Sequence, residues 1–265
     1  MRKVVLITGV SSGIGAATAL ALAGAGYRVF GGARSPAKLA PIPGVEIVAL
    51  DVRDEAQVRA AVAQIEEAAG SIDIVINNAG VSLVGPVEAT SVAEARALFD
   101  TNVFGVLNVV QAVLPGMRQR QAGLIVNISS VLGFLPAPFM GLYASSKHAL
   151  EGLSETLDHE VRDFGIRVML VEPSFTNTKL DTNAARTSTR IAAYAEALDR
   201  STRAVQEQVE SAPSPESVAA AIVKALQAPH RLRQPADKRA KLLSTLRRFA
   251  PAKQVDKSLR GAFGL

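Results

Sequence analysis

The sequence predicts an α/β fold, a doubly wound parallel sheet with helices on both faces, in a single domain. Three observations carry this reading. Short runs rich in Val and Ile alternate with longer amphipathic stretches through the first two-thirds of the chain. The runs are apolar nearly throughout, as strands buried on both faces are, rather than apolar on alternate residues. A glycine-rich turn links the first run to an Ala-rich helical stretch.

In order, the strand candidates are residues 4–7, 28–31, 46–50, 72–77, 124–128 and 167–171. Helical stretches at 13–25, 55–69, 91–117 and 143–164 lie between them, and right-handed crossovers place these on the two faces. Residues 179–212 are polar and rich in Thr, Ala and Arg, and read as an inserted helical or mobile segment, a lid over bound substrate. A helix over 215–226 follows. Beyond Pro229, residues 241–249 are basic and carry Leu242, Leu243, Leu246 and Phe249 at helical spacing. No repeat of 20–50 residues appears. One domain of 265 residues results, with the lid and a basic extension over 229–265 as elaborations.

Composition narrows the chemistry. The absence of cysteine excludes disulfides, zinc-thiolate sites and a cysteine nucleophile, and three scattered histidines offer little to a transition metal. The net charge of +5 is unevenly placed. Residues 224–265 hold eleven Lys/Arg against two Asp/Glu, whereas residues 1–223 hold 18 against 22. A mildly acidic body is a poor nucleic-acid groove, so no nucleic-acid partner is expected. The start, a basic pair and a short apolar run broken by Thr8-Gly9, is too short for a signal sequence or a bilayer span. A cytoplasmic protein is the expectation, with membrane association through the tail an alternative; Leu242, Leu246 and Phe249 are expected to pack on the body or on a neighbouring subunit.

The first strand runs into Thr8-Gly9-Val10-Ser11-Ser12-Gly13-Ile14-Gly15. A strand, a glycine turn and a helix N-terminus make an anion site from backbone N–H groups and the helix dipole. No Gly-Lys-Ser/Thr follows, which removes the nucleoside-triphosphate P-loop. Further motifs appear in order: Asp51-Val52 after the third strand, Asn77-Asn78-Ala79-Gly80 after the fourth, and Asn102 within a helix. Ser130 follows the fifth strand, Tyr143-Ala144-Ser145-Ser146-Lys147 begins the next helix, and Pro173 follows the sixth strand with Thr176 and Thr178 close behind. Singly each is commonplace: a YxxxK pair is usually a surface pair, a Ser-Ser after a strand a turn. Together, over residues 4–178, they resemble the short-chain dehydrogenase/reductase family, in a branch like the steroid and retinol dehydrogenases.

The resemblance implies a Rossmann-type fold and an oxidoreductase interconverting a hydrophobic ketone or aldehyde and its alcohol. It implies that Gly9, Ser11, Ser12, Gly13, Ile14, Gly15, Asp51, Val52, Asn78, Ala79, Gly80, Pro173, Thr176 and Thr178 contact the dinucleotide, with Tyr143 and Lys147. Tyr143 is then the general acid/base, Lys147 holds the nicotinamide ribose, Ser130 binds the substrate oxygen and Asn102 supports a proton relay. A spacing of four residues puts Tyr143 and Lys147 on one helix face, where an ammonium favours the phenolate. A homodimer or homotetramer through the 91–117 and 143–164 helices is also implied. Ala33 stands where an NAD-selective carboxylate would, and Arg34 follows, so NADP is expected over NAD. Residues 81–84, 134–140 and 179–194 are the expected walls of the substrate cleft. A non-catalytic NADP-binding regulator of this fold, and an epimerase or dehydratase using YxxxK, remain the alternatives. Two departures stand out: Ser174 follows Pro173 where the family commonly has Gly, and the C-terminus lacks the family's glycine-rich strand ending. Asn127-Ile128-Ser129 matches a glycosylation sequon but overlaps a buried strand.

Overall fold

A computed structural model describes residues 2–265, with the backbone alone for residues 181 and 182. The seven-stranded main sheet contains β1 (Val4–Thr8), β2 (Arg28–Ala33), β3 (Val45–Ala49), β4 (Ile74–Asn77), β6 (Gly123–Ile128), β7 (Ile166–Glu172) and β9 (Arg233–Pro235). A two-stranded pair, β5 (Leu83–Val84) with β8 (Ala185–Arg186), lies apart from it. The main sheet runs in the order β3-β2-β1-β4-β6-β7-β9, every neighbouring pair parallel. Strand order reverses between β1 and β4, and the carboxyl ends of these strands open the crevice where such sheets bind ligands.

Two layers of helices cover the sheet. On one face α1 (Gly13–Gly24) and α8 (Pro215–Gln227) pack on each other and on Val5, Ile7, Val126 and Met169. On the other, α2 (Glu55–Ala69), α4 (Gly105–Arg120) and α5 (Gly141–Val161) bury Val58, Val109 and Leu150 against Leu6, Val75 and Ile125. Sheet side chains therefore divide by parity, Leu6 to one layer and Val5 and Ile7 to the other, as a two-period strand requires. A buried polar chain ties the layers: Asn77 Nδ2 donates to Asn127 Oδ1, and Asn127 Nδ2 to Ser154 Oγ, each at 2.8 Å. Asn127 is thus core, and the sequon is a chance match.

The expected helix over 91–117 is three pieces. α3 (Val92–Phe99), capped by a reciprocal Ser91–Glu94 pair, runs into a π turn at Asp100–Phe104 and then into α4. The turn inserts where Asn102 is directed inward, a local distortion that periodicity alone does not reveal. By length and hydropathy alone this 29-residue run is apolar enough to cross a bilayer, a test that the core helix of a folded domain also passes. In this fold Val106, Val109, Val110, Val113 and Met117 of α4 are buried.

The C-terminal third departs furthest from expectation. The missing strand ending is replaced by β9, whose Pro235 occupies the sheet edge, where a residue without an N–H is tolerated. The lid is folded: α6 (Lys179–Thr182), then β8 paired to β5, then α7 (Ala195–Glu210). Ser188 N donates to Glu94 Oε1 and the Tyr194 hydroxyl to Glu88 Oε2, both at 2.8 Å. α9 (Lys238–Phe249) and α10 (Ala252–Ala262) close the chain against a third cluster that includes Leu135, Met140 and Tyr143, using Ala240, Leu243, Val255, Leu259 and Phe263. Leu242, Leu246 and Phe249 do not pack on the body. They are 57%, 45% and 75% exposed, because Ala240 and Leu243 supply the buried face of α9 instead.

Candidate active site

The glycine turn is built by close approach. Gly9 has φ 72°, and a Cβ there would stand 2.8 Å from the Ala79 Cα; a Cβ on Gly15 would overlap Asn78 Nδ2 and the Gly9 carbonyl. Thr8 Oγ1 accepts from the N–H groups of Asn78 and Ala79, each at 3.0 Å. Asn78 Nδ2 returns bonds to the carbonyls of Thr8 (2.9 Å) and Gly9 (3.0 Å). The ends of β1 and β4 are thereby locked side by side. α1 then starts at Gly13 with no side-chain cap from Ser12 and no acid in its first turn. Its N-terminal donors and positive dipole end are left for an anion, the setting a pyrophosphate needs.

These features open on one cleft of about 470 Å³, and every predicted site residue lines it except Gly15 and Asn102. At one end Arg34, exposed after β2, has no ion-pair partner among the described residues. Nearby, the Asp51 carboxylate is held by Arg53 Nη2 at 2.6 Å, a pairing the sequence reading missed. Hydrogen bonds from Arg53, with a smaller contribution from the charge of Arg34, hold the Asp51 carboxyl below its usual range. Thr178 closes over the glycine turn, its Cβ and Cγ2 lying 3.4 Å from where a Gly13 Cβ would be.

At the other end, Tyr143 and Lys147 come from the start of α5, both buried. Lys147 Nζ donates to the Ile128 carbonyl at 2.8 Å and stands 5.8 Å from the centroid of the Tyr143 ring. Burial lowers its pKa to about 8, against the raising influence of Glu151 one turn on. Ser130 follows β6 in extended backbone, its Oγ accepting from Leu132 N at 3.1 Å. Asn102 lies behind the cleft wall. Its Nδ2 donates to Val81 O (2.9 Å) and Ser146 Oγ (3.1 Å), and its Oδ1 accepts from Val81 N (2.9 Å), so its protein partners are Val81 and α5 rather than Lys147.

The expected apolar walls divide. Val81 and Met140 line the cleft, while Pro138, Phe139 and Val84 line an adjoining cavity of about 200 Å³ that also meets Val205 and Val209 of α7. Leu135 and Ala137 are core. Phe139 has φ 60°, a strained left-handed position for an aromatic residue.

Behind the cleft, a cluster of buried charge joins three elements that the sequence reading did not connect. Arg233 of β9 reaches across to α5 and β7, with Nη1 on both Glu151 Oε2 and Glu172 Oε1 and Nη2 on Glu155 Oε1 at 2.9 Å. Glu151 is one turn beyond Lys147 and Glu172 immediately precedes Pro173, so one guanidinium braces α5 against the end of β7. Both carboxylates are buried. Desolvation raises both pKa values, with Arg233 opposing, and pushes Glu172 to about 7. Ser174, in place of the usual Gly, donates from its N–H (3.0 Å) and Oγ (2.8 Å) to Asp237 Oδ2. Asp237 Oδ1 in turn accepts from Ala240 N at 2.8 Å as the cap of α9. Ser174 has no positive φ, so the substitution is unstrained, and it couples the turn after β7 to the C-terminal helices. No local signal pointed to these contacts: Glu151 stands among Lys147, His148 and Glu155, and Glu172 is a single acid at the end of an apolar strand.

Comparison with known proteins agrees with this architecture. The short chain dehydrogenase family model matches residues 3–190. A 3-ketodihydrosphingosine reductase of Bacteroides thetaiotaomicron is 38% identical over 224 residues, 84% of this chain and 82% of that protein. Human retinol dehydrogenase 8 is 40% identical over 183 residues, 64% of this chain and 58% of that protein. A crystal structure of a short-chain dehydrogenase from Streptomyces avermitilis superposes with a TM-score of 0.82 at 37% identity, covering 98% of this chain and 99% of that one. A short chain dehydrogenase/reductase from Burkholderia phymatum in complex with NAD gives 0.79 at 30% identity, covering 98% and 95%. Agreement of this extent, in sequence and in strand order alike, makes the chain a member of the short-chain dehydrogenase/reductase family of nicotinamide-dependent oxidoreductases.

Proposed function

We propose that the protein interconverts a hydrophobic ketone or aldehyde and its alcohol, using NADP(H). The observation that carries this reading is the meeting of Tyr143, Lys147 and Ser130 at one end of a cleft whose other end holds the glycine turn and Arg34. The nicotinamide cofactor supplies or accepts the hydride. The Tyr143 hydroxyl gives a proton to the substrate oxygen in reduction and takes it back in oxidation. Lys147 favours the phenolate by its charge, and after its bond to Ile128 it keeps two N–H donors for the ribose and the proton path. The Ser130 hydroxyl donates to the same substrate oxygen, stabilising charge that develops there. Asn102, by fixing Val81 to α5, would extend that proton path to solvent through a water. Arg34 supports NADP, because its exposed guanidinium makes no ion pair among the described residues and suits a 2′-phosphate, and no acid directly follows β2 in the sequence. The apolar side cavity at Val84, Phe139 and Val209 supports a hydrophobic substrate, with residues 179–212 as its cover. Association as a homodimer or homotetramer finds support in the exposed Val92 and Phe104 along the α3–α4 run.

The test is NADPH oxidation across aliphatic, aromatic, steroid and retinoid carbonyls, with Tyr143→Phe as the blank. Turnover with at least one class is expected, falling about 10²- to 10⁴-fold in the variant with NADPH binding retained. Equal turnover in the variant overturns the assignment of the acid. NADPH binding without turnover of any carbonyl favours a non-catalytic regulator.

A further inference from the structure

We infer that the outer face of α9 is a docking surface for an anionic lipid bilayer. Ala240 and Leu243 turn inward, into the cluster that contains Leu135, Met140 and Tyr143. The opposite face presents Leu242, Leu246 and Phe249, spaced by four and three residues and therefore on a single stripe. Exposed hydrophobic residues are common singly, but a continuous stripe on an otherwise polar helix marks a contact.

The charges around the stripe identify the partner. α9 contains no acidic residue, and exposed Lys238, Lys241 and Arg248 flank the stripe, with Lys253 following on α10. The other two cations of the helix are committed to the body: Arg239 stacks on Phe175, and Arg247 Nε donates to the Phe134 carbonyl at 3.2 Å. Apolar side chains at the centre and cations at the edge are the pattern of a helix lying in the headgroup region, where Leu and Phe reach the acyl boundary and Lys and Arg meet anionic headgroups. A second copy of this chain fits less well. A two-fold contact through the stripe would set Lys238, Lys241 and Arg248 against their own counterparts with no acid on either helix. A nucleic-acid phosphate track would call for cations, not leucines, along the centre.

The position of the helix gives the docking a use. α9 is anchored through Asp237 to Ser174, which lines the cleft, and through Arg247 to Phe134 at the start of the 134–140 segment. A bilayer met by α9 would hold the cleft near the phase in which a hydrophobic carbonyl dissolves. Docking itself does not depend on that use.

The test is co-flotation of the full chain with phosphatidylcholine vesicles containing about 30 mol% phosphatidylserine, compared with pure phosphatidylcholine, for wild type and for L246E/F249E. Partition into the anionic vesicles is expected, weakened by about 0.5 M NaCl and reduced by roughly tenfold or more in the variant. Both substituted residues are exposed, so an unchanged melting temperature and unchanged NADPH affinity show that the variant folds. Equal flotation of the two proteins, or none by wild type, overturns the proposal. So does a concentration-dependent dimer that the variant loses without any vesicle binding by wild type, which would assign the stripe to a second copy.

Discussion

The two ends of this enzyme's cleft are held by different physics. The glycine-turn end, between β1 and α1, is built from backbone: glycines that permit contact, uncapped N–H groups, and one Asn and one Thr stitching two strand ends together. The end toward β9 and α9 is built from buried charge, with Arg233 between Glu151 and Glu172 and Asp237 beneath Ser174. The backbone groups of the glycine turn do not titrate, and the charges at this end, Arg34 and the Asp51–Arg53 pair, sit at its rim. A carboxylate cluster held by one guanidinium inherits the pKa of each member. The lesson is that one cleft combines a turn set by backbone contact with a brace set by buried charge.

Three measurements press on that contrast. At the glycine-turn end, the proposed NADP reading expects Arg34→Asp to reverse cofactor preference, moving the ratio of kcat/KM for NADPH over NADH by roughly 10- to 100-fold, the worth of one or two charge-assisted hydrogen bonds. The expected thermal stability is unchanged, since Arg34 makes no ion pair among the described residues. An unmoved ratio would remove Arg34 from the site.

At the charged end the order of effects should invert, with stability responding first. Arg233→Gln leaves Glu151 and Glu172 buried without their shared partner. Because the Arg233 side chain is 40% exposed, a loss of about 1–3 kcal/mol is expected, less than for a fully buried pair. Denaturant unfolding checks it, and a change under about 0.5 kcal/mol would show that water replaces the guanidinium without penalty.

The smallest effect carries a sign. Glu172 is raised from 4.5 to about 7, so the native state holds a proton that the unfolded chain releases earlier. Its contribution to stability is full below the unfolded value and is lost as the pH rises towards about 7. Glu172→Gln, always neutral, should therefore gain on wild type across that window in pH-dependent unfolding. A difference that stays flat, or runs the other way, would mean that Arg233 keeps Glu172 ionised throughout.

The same contrast explains what the sequence could disclose. The glycine turn, Asn78 and the YxxxK pair are local, with spacing and chemistry written into consecutive residues, and the structure brings all but Gly15 and Asn102 to the cleft wall itself. Hydrophobic runs located six strands because a strand buried on both faces must be apolar. β9 escaped because Arg233-Gln234-Pro235 is polar and sits at an edge, where its pairing with β7 rather than its composition makes it a strand. The π turn at Asn102 escaped because one added residue in a helix leaves the apolar pattern nearly intact. The Arg233 brace escaped for a third reason: its partners lie 61 to 82 residues away, and nothing local marks two glutamates as buried. The face of α9 was legible as amphipathic, but which of its leucines point inward is decided by the third core cluster.

The brace also sets a schedule. Synthesis runs from the N-terminus at about 5–20 residues per second, so Arg233 is added roughly 4–16 s after Glu151, 82 residues earlier. During that interval Tyr143, Lys147 and the glycine turn are already made, while Glu151 and Glu172 await their counter-ion and Ser174 awaits Asp237. The tie from α5 to the end of β7, and the one from the turn after β7 to α9, therefore form only once nearly the whole chain has been made.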